Sequence, residues 1–191
     1  MNDFRNESLS HFLGALADRS PAPGGGASAG VTVALAAAQA EMVVSWTKPE
    51  RPESIKYLQQ VRSEALELAV RDADAYSRWN ELQKDRPEGD PELQSATEDI
   101  LNIPAALAAL SLRLLRECVR LAPETNPRLG SDLGIAGALA AAGVPSAGWN
   151  TKANLHLVKP ENQEAIRQSL AAQEAEAESL LDELNAFLWP D

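Results

Sequence analysis

The 191-residue sequence predicts an all-α fold, a bundle of long antiparallel helices, on three observations. Apolar residues recur three or four apart over long stretches, and no stretch of any length alternates as a half-buried strand would. Alanine is abundant while aromatics make up only 5% of the chain, a balance that favours close helix–helix packing over a β core. Proline and glycine sit between the periodic stretches, where helices must stop. A length of this order suits one domain, taken as residues 1–191.

The first helix is short, capped by Ser8 or Ser10, with Leu9, Phe12, Leu13 and Leu16 on one stripe. PAPGGGASAG at 21–30 ends it and opens a second helix, expected from about Ala27 to Trp46. That segment is apolar nearly all round, so it belongs in the centre of the bundle, covered on several sides. Pro49 and Pro52 break the chain, and a third helix is expected from Glu53 or Ser54 to about Gln83. Its stripe is Ile55, Leu58, Val61, Ala65, Leu68, Tyr76 and Trp79. Asp90 caps the fourth helix with Pro91 in its first turn, and Pro104 inside it should kink or restart it. Ser131 is expected to cap a fifth helix running to about Ala142, with a break or kink at Gly143 and Pro145 before a further helix to about Leu157. A last helix starts near Pro160 and carries Ile166, Leu170, Leu180, Leu181, Leu184 and Phe187.

The formal net charge of −11 opposes phosphate backbones, and no basic patch offsets it, so no nucleic-acid partner is expected. One cysteine, Cys118, rules out an intrachain disulfide. MNDFRNESLS has neither the basic start nor the apolar core of a signal peptide. Segment 27–46 carries Gln39, Glu41, Ser28 and Ser45 without a basic flank before it, so a buried helix is expected rather than a membrane span. The chain is therefore expected to be cytoplasmic.

Helical phase separates two neighbouring aspartates in LELAVRDADAYSRW. Asp72 has Leu68 and Ala69 one turn before it and Ala75 and Tyr76 one turn after, which places it on the apolar stripe. Asp74 has Arg71 at i−3 and Arg78 at i+4 and reads as a surface ion-pair residue. A carboxylate turned inward must be paired, hydrogen-bonded or protonated, and burial raises its pKa toward that of a working general acid. The structural alternative is that Asp72 lies at the edge of the stripe or caps a neighbouring helix. Glu41 is the one charge in the second helix; it is a site carboxylate, or it marks where that helix emerges.

Asn150 and Asn154, four apart, share a face and can hold a polar ligand or join two helices. Ser131 and Asp132 read as a helix start with a dipole-matched acid. His11, His156 and Cys118 lack ligand-like spacing, so no metal is expected. Gly24, Gly25 and Gly26 are not a Walker-type phosphate loop, since no Lys-Ser/Thr follows. They offer free N–H groups to an anion, or they permit tight packing.

Taken in order, PAPGGGASAG, AEMV, DADAY, NIP, GSDLG and GWNTKANL resemble the cyclodeaminase domain of formimidoyltransferase-cyclodeaminase. That family includes stand-alone methenyltetrahydrofolate cyclohydrolases. The resemblance runs from about Phe12 to Phe187. It implies an all-helical homodimer or higher homo-oligomer acting on a tetrahydrofolate derivative, with no further cofactor, metal or membrane partner. Two reactions are implied: closure of 5-formimidoyltetrahydrofolate to 5,10-methenyltetrahydrofolate with release of ammonia, or interconversion of the methenyl and 10-formyl forms. The resemblance places the family's proton-donor aspartate at Asp72. Gly24, Gly25, Gly26, Glu41, Ser131, Asp132, Asn150 and Asn154 are the expected substrate-binding set. Family members often follow the second helix with a Gly-Lys/Arg-rich run; here it reads TKPERPESIKY, leaving Lys48, Arg51 and Lys56 for an acidic tail. The alternative from another class is a non-catalytic helical dimer that binds a small molecule.

Overall fold

The computed structural model describes residues 3–87 and 89–190. Six α-helices carry the fold: α1 (Leu9–Ala17), α2 (Gly25–Ser45), α3 (Pro52–Asp85), α4 (Pro91–Leu121), α5 (Gly130–Asn154) and α6 (Pro160–Leu188). No strand occurs among the described residues.

Cross-helix contacts give the topology. Gly30 of α2 packs on Ala65 and Ala69 of α3, whereas Glu41 reaches back to Gln59 and Arg62, so the two helices run antiparallel. Arg78 with Asp99 at one end and Ser54 with Arg120 at the other do the same for α3 and α4. Helix α5 runs against α4, through Ser111 Oγ to the Ala140 carbonyl and Asn154 to the Ile100 carbonyl. It also runs against α2, from Gly25 beside Asn150 to Gln39 bonded to Asp132. The ring α2–α3–α4–α5 thus closes, and α6 lies across α4 and α5. The core inside it is mostly Leu, Val and Ala, with Leu58, Leu107, Leu110, Leu114, Leu115 and Leu133 fully buried.

Neither internal proline interrupts its helix. Helix α4 passes Pro104 and α5 passes Gly143 and Pro145 without interruption. Proline removes one N–H and frees the carbonyl four residues earlier. For Pro104 that carbonyl is Ile100's, and the Asn154 side-chain amide donates to it at 3.1 Å. Tertiary packing supplies what the helix ladder lost. Gly143 is retained in α5 because a Cβ there would strike Ser111 Oγ and Val33.

Other expectations need correction at the helix ends. Ser8, not Ser10, caps α1, accepting from the His11 N–H at 3.2 Å. Only Phe12 of that helix is buried; it stacks on Phe4, while Leu9 and Leu13 face solvent. Ser131 does not cap α5, which begins at Gly130 after an N-cap Leu129 with no side-chain bond. Asp74 pairs with neither flanking arginine among the described residues; Arg78 turns instead to Asp99 of α4 at 3.8 Å.

Helix α2 is covered on several sides but not all. Leu35 on α2 and Trp46 just past its end, with Ile135 and Trp149 on α5, are more than half exposed. Across α2 and α5 together the only charged residues are Glu41, Asp132 and Lys152. The outer side of this helix pair is therefore an apolar face on a chain of net charge −11.

The α2–α3 approach sets a stability test. A Cβ at Gly30 would lie 2.5 Å from the Ala69 methyl and 2.9 Å from the Ala65 carbonyl oxygen, so Gly30→Ala must push two helices apart. The expected loss is about 2 kcal/mol by chemical denaturation. At Gly14, whose added Cβ would meet nothing within 4 Å, the same change is expected to stabilise by about 0.5 kcal/mol through helix propensity.

Candidate functional site

The end of the bundle where α2 begins holds a cavity of about 290 Å³. Three parts of the chain form its polar wall: Gly24, Gly25 and Gly26 at the start of α2, Asp72 on α3, and Asn150 with Asn154 on α5. Pro21, Ala73, Tyr76, Ile100 and Ala153 complete it.

Each polar group is there for a local reason. The α2 N-cap is Gly24, which makes no side-chain cap bond, so the first amides of the helix are left to whatever sits in front of them. Gly26 is already inside the helix, and a Cβ on it would overlap the Asp72 carboxyl group. A Cβ on Gly25 would come to 3.2 Å from Asn150 Oδ1. The glycines therefore serve both readings at once: they let α3 and α5 approach, and they leave backbone N–H groups open toward the cavity. Asn154 spends one amide hydrogen on the Ile100 carbonyl that Pro104 frees. No bond to its Oδ1 occurs among the described residues, so that atom is available as an acceptor.

Asp72 is half-buried and has no ion-pair or hydrogen-bond partner among the described residues. Burial alone raises its pKa from 3.8 to about 6. The positive end of α2 beside it favours the ionised form and opposes that effect. Both protonation states are then accessible near neutral pH, which a group that takes and returns a proton requires.

The remaining expected site residues lie elsewhere. Glu41 stands fifteen residues along α2 from Gly26, about 22 Å at the helical rise. Its oxygens accept from Gln59 Nε2 at 2.8 Å and Arg62 Nε at 3.2 Å, as expected of a residue where the helix emerges. Asp132 accepts from Gln39 Nε2 at 2.8 Å, and Ser131 is exposed beside it at the start of α5. Within one chain these three do not reach the cavity. No group of His, Cys, Asp and Glu among the described residues is arranged to hold a metal ion.

Comparisons with known proteins agree on one family. A profile described as formiminotransferase-cyclodeaminase matches residues 8–176. The chain belongs to the formiminotransferase-cyclodeaminase family. A solved structure, formiminotetrahydrofolate cyclodeaminase from Thermotoga maritima, superposes with a TM-score of 0.84. It is 28% identical, and the match covers 96% of each chain. No curated protein sequence matches.

In this member of the formiminotransferase-cyclodeaminase family, the cavity also uses residues that sequence reasoning did not single out as site residues. Tyr76, one helical turn from Asp72, lines the cavity while 43% exposed, so it stands at the opening. Its spacing from Asp72 was the available signal. Ile100 contributes through a carbonyl, which side-chain patterns do not reveal.

The desolvated Asp72 carboxyl predicts a stability effect with a definite sign. A carboxyl whose folded pKa lies above its unfolded value binds more protons when folded, so stability falls as pH rises from about 4 to 6 and stays lowered above that. Asp72→Asn should remove this penalty. The variant is expected to be more stable than the parent at pH 7.5 by about 2 kcal/mol, with no advantage near pH 3.5. Denaturant titration at the two pH values measures it.

Proposed function

We propose that the protein is a reduced-folate one-carbon enzyme that closes 5-formimidoyltetrahydrofolate to 5,10-methenyltetrahydrofolate and ammonia. The observation that carries the reading is the unpaired Asp72 carboxyl in a cavity otherwise lined by neutral donors and acceptors. The family and the similar cyclodeaminase support the substrate class.

The proton count suits one carboxyl group. The formimidoyl group on N5 is an amidine and carries a proton near neutral pH. An ionised Asp72 attracts that cation into a cavity holding no other charged side chain. N10 attacks the formimidoyl carbon, forming a C–N bond and a tetrahedral centre. The N10 proton passes to Asp72 and from there to the amino group, which leaves as ammonia when the C–N bond breaks. The product keeps the positive charge as the methenyl cation, so no net proton is consumed. Asp72 thus acts as base and then as general acid. Asn150 and Asn154 offer amides to the polar edges of the heterocycle, and the first amides of α2 offer donors to a carbonyl. Holding N10 and the carbon in one small enclosed space fixes their approach and excludes water.

The reading is tested by following methenyltetrahydrofolate formation by its absorbance, with ammonia measured in parallel. Asp72→Asn is expected to lower kcat by at least about a hundredfold. In the parent, kcat/KM should rise with pH through an apparent pKa near 6, the value to which burial moves Asp72, and the variant should lose that limb. Activity with 10-formyl or methenyltetrahydrofolate and water, without ammonia release, would redirect the assignment to a cyclohydrolase. Unchanged turnover in Asp72→Asn would remove Asp72 from the reaction.

The apolar outer face of α2 and α5 belongs to the same proposal. Two chains of net charge −11 repel except where neither carries charge, and this face is where the chain has least. A second copy is the occupant that meets it without a charge mismatch, giving a homodimer. Sedimentation should show twice the 20.5 kDa chain mass, reduced to the monomer by Leu35→Glu with Ile135→Glu. A parent that remains monomeric at high concentration would overturn the dimer.

A further inference from the structure

Pro104 sits well inside α4 with less than 2% of its surface exposed. At such a place proline withholds the N–H that would bond the Ile100 carbonyl, and its ring crowds that carbonyl away from the helix axis. Ile100 is buried too, and the donor its carbonyl meets is the Asn154 side chain of α5, at 3.1 Å. We infer that Pro104 is a positioning residue for the site: it keeps the Ile100 carbonyl free to hold the Asn154 amide in one of its two orientations, with Oδ1 presented to the ligand. The inference rests on the reduced-folate reading above, in which Asn154 meets the substrate.

Three observations carry it. The first is polarity. The two ends of a carboxamide are alike in shape, and half a turn exchanges donor for acceptor. A carbonyl only accepts, so the end of Asn154 that faces Ile100 is its NH2, and Oδ1 takes the other side.

The second is access. Asn154 is half-buried, and Oδ1 has no bond among the described residues, yet it is not one of the buried atoms left without a partner. A ligand can therefore reach it.

The third is placement. Ile100 and Asn154 both line the cavity that holds Asp72, whereas Pro104, one helical turn further along α4, does not. Pro104 acts on the ligand only through the carbonyl it frees. The formimidoyl amidine and the heterocycle both carry N–H groups, which a fixed acceptor suits. An amide free to rotate would offer its own N–H as readily and meet them with a like group.

The test is a pair of double-mutant cycles built from Pro104→Ala, Pro104→Val and Asn154→Ala. Either change at Pro104 restores the N–H, which competes for the Ile100 carbonyl and releases the Asn154 amide; valine also fills the space the ring leaves. With Asn154 in place, each should lower kcat/KM for methenyltetrahydrofolate formation about tenfold. In the Asn154→Ala background the same changes should alter it by less than about twofold. The second cycle is urea denaturation and needs no ligand. Asn154→Ala should lower the midpoint when Pro104 is present, because the Ile100 carbonyl loses its donor, and far less once the N–H is restored. Unchanged kcat/KM in the Pro104 variants, a loss in one of them alone, or an equal loss with and without Asn154 overturns the positioning role. A midpoint shift of the same size in both backgrounds overturns the hold of Pro104 on Asn154. A parent inactive on every reduced folate overturns the folate reading and the positioning role with it, while the midpoint cycle still decides the hydrogen-bond link.

Discussion

The closeness with which α2 meets its neighbours is the constraint on which the rest depends. Gly30 lets it lie against the Ala65–Ala69 surface of α3, Gly26 lets it stop against the Asp72 carboxyl, and Gly143 of α5 accommodates Ser111 and Val33. At these contacts backbone and small side chains fill the interface. The same closeness brings Asp72 near the open amides of α2 and walls it from water on that side. A bundle spaced by larger residues would leave that carboxyl more hydrated and nearer its ordinary pKa.

The polar groups of the cavity are also tied to the frame. Pro104 looks like a defect in α4, yet the carbonyl it releases at Ile100 is the partner that orients Asn154. A helix irregularity on one element thus aims a side chain on another, and the cost of the missing ladder bond is offset by a bond across the bundle. Among the described residues Asp72 has no such partner. Holding an acid partly out of water without one costs stability, as expected of a group kept ready for a ligand.

Much of this was legible in the sequence because it rests on periodicity. Five of the six helices and the inward phase of Asp72 follow from apolar patterning, whereas α5 read as two helices, and the caps at Ser8 and Asp90 follow from local chemistry. No restart occurs at Pro104 and no break at Gly143 and Pro145, because local propensity was overruled by tertiary contacts the sequence does not display. Asp74 departed from its expected pairs because Asp99, on another helix, offered Arg78 a partner. Glu41 looked like Asp72 in being an acid among apolar residues, and Asp132 read as a helix-start acid that the resemblance drew into the site. Only the helix register shows that they sit a bundle's length away from it. The link between Ile100 and Asn154 passes through a backbone carbonyl, which no residue pattern announces.

The distribution of charge has a consequence for assembly. Helices α2 and α5 hold three of the chain's charged residues, while the other 16 basic and 26 acidic side chains lie in the remaining helices and turns. In the proposed homodimer that bare flank would be occupied, and every approach left to a third copy would meet like charge, so growth would end at the first pairing.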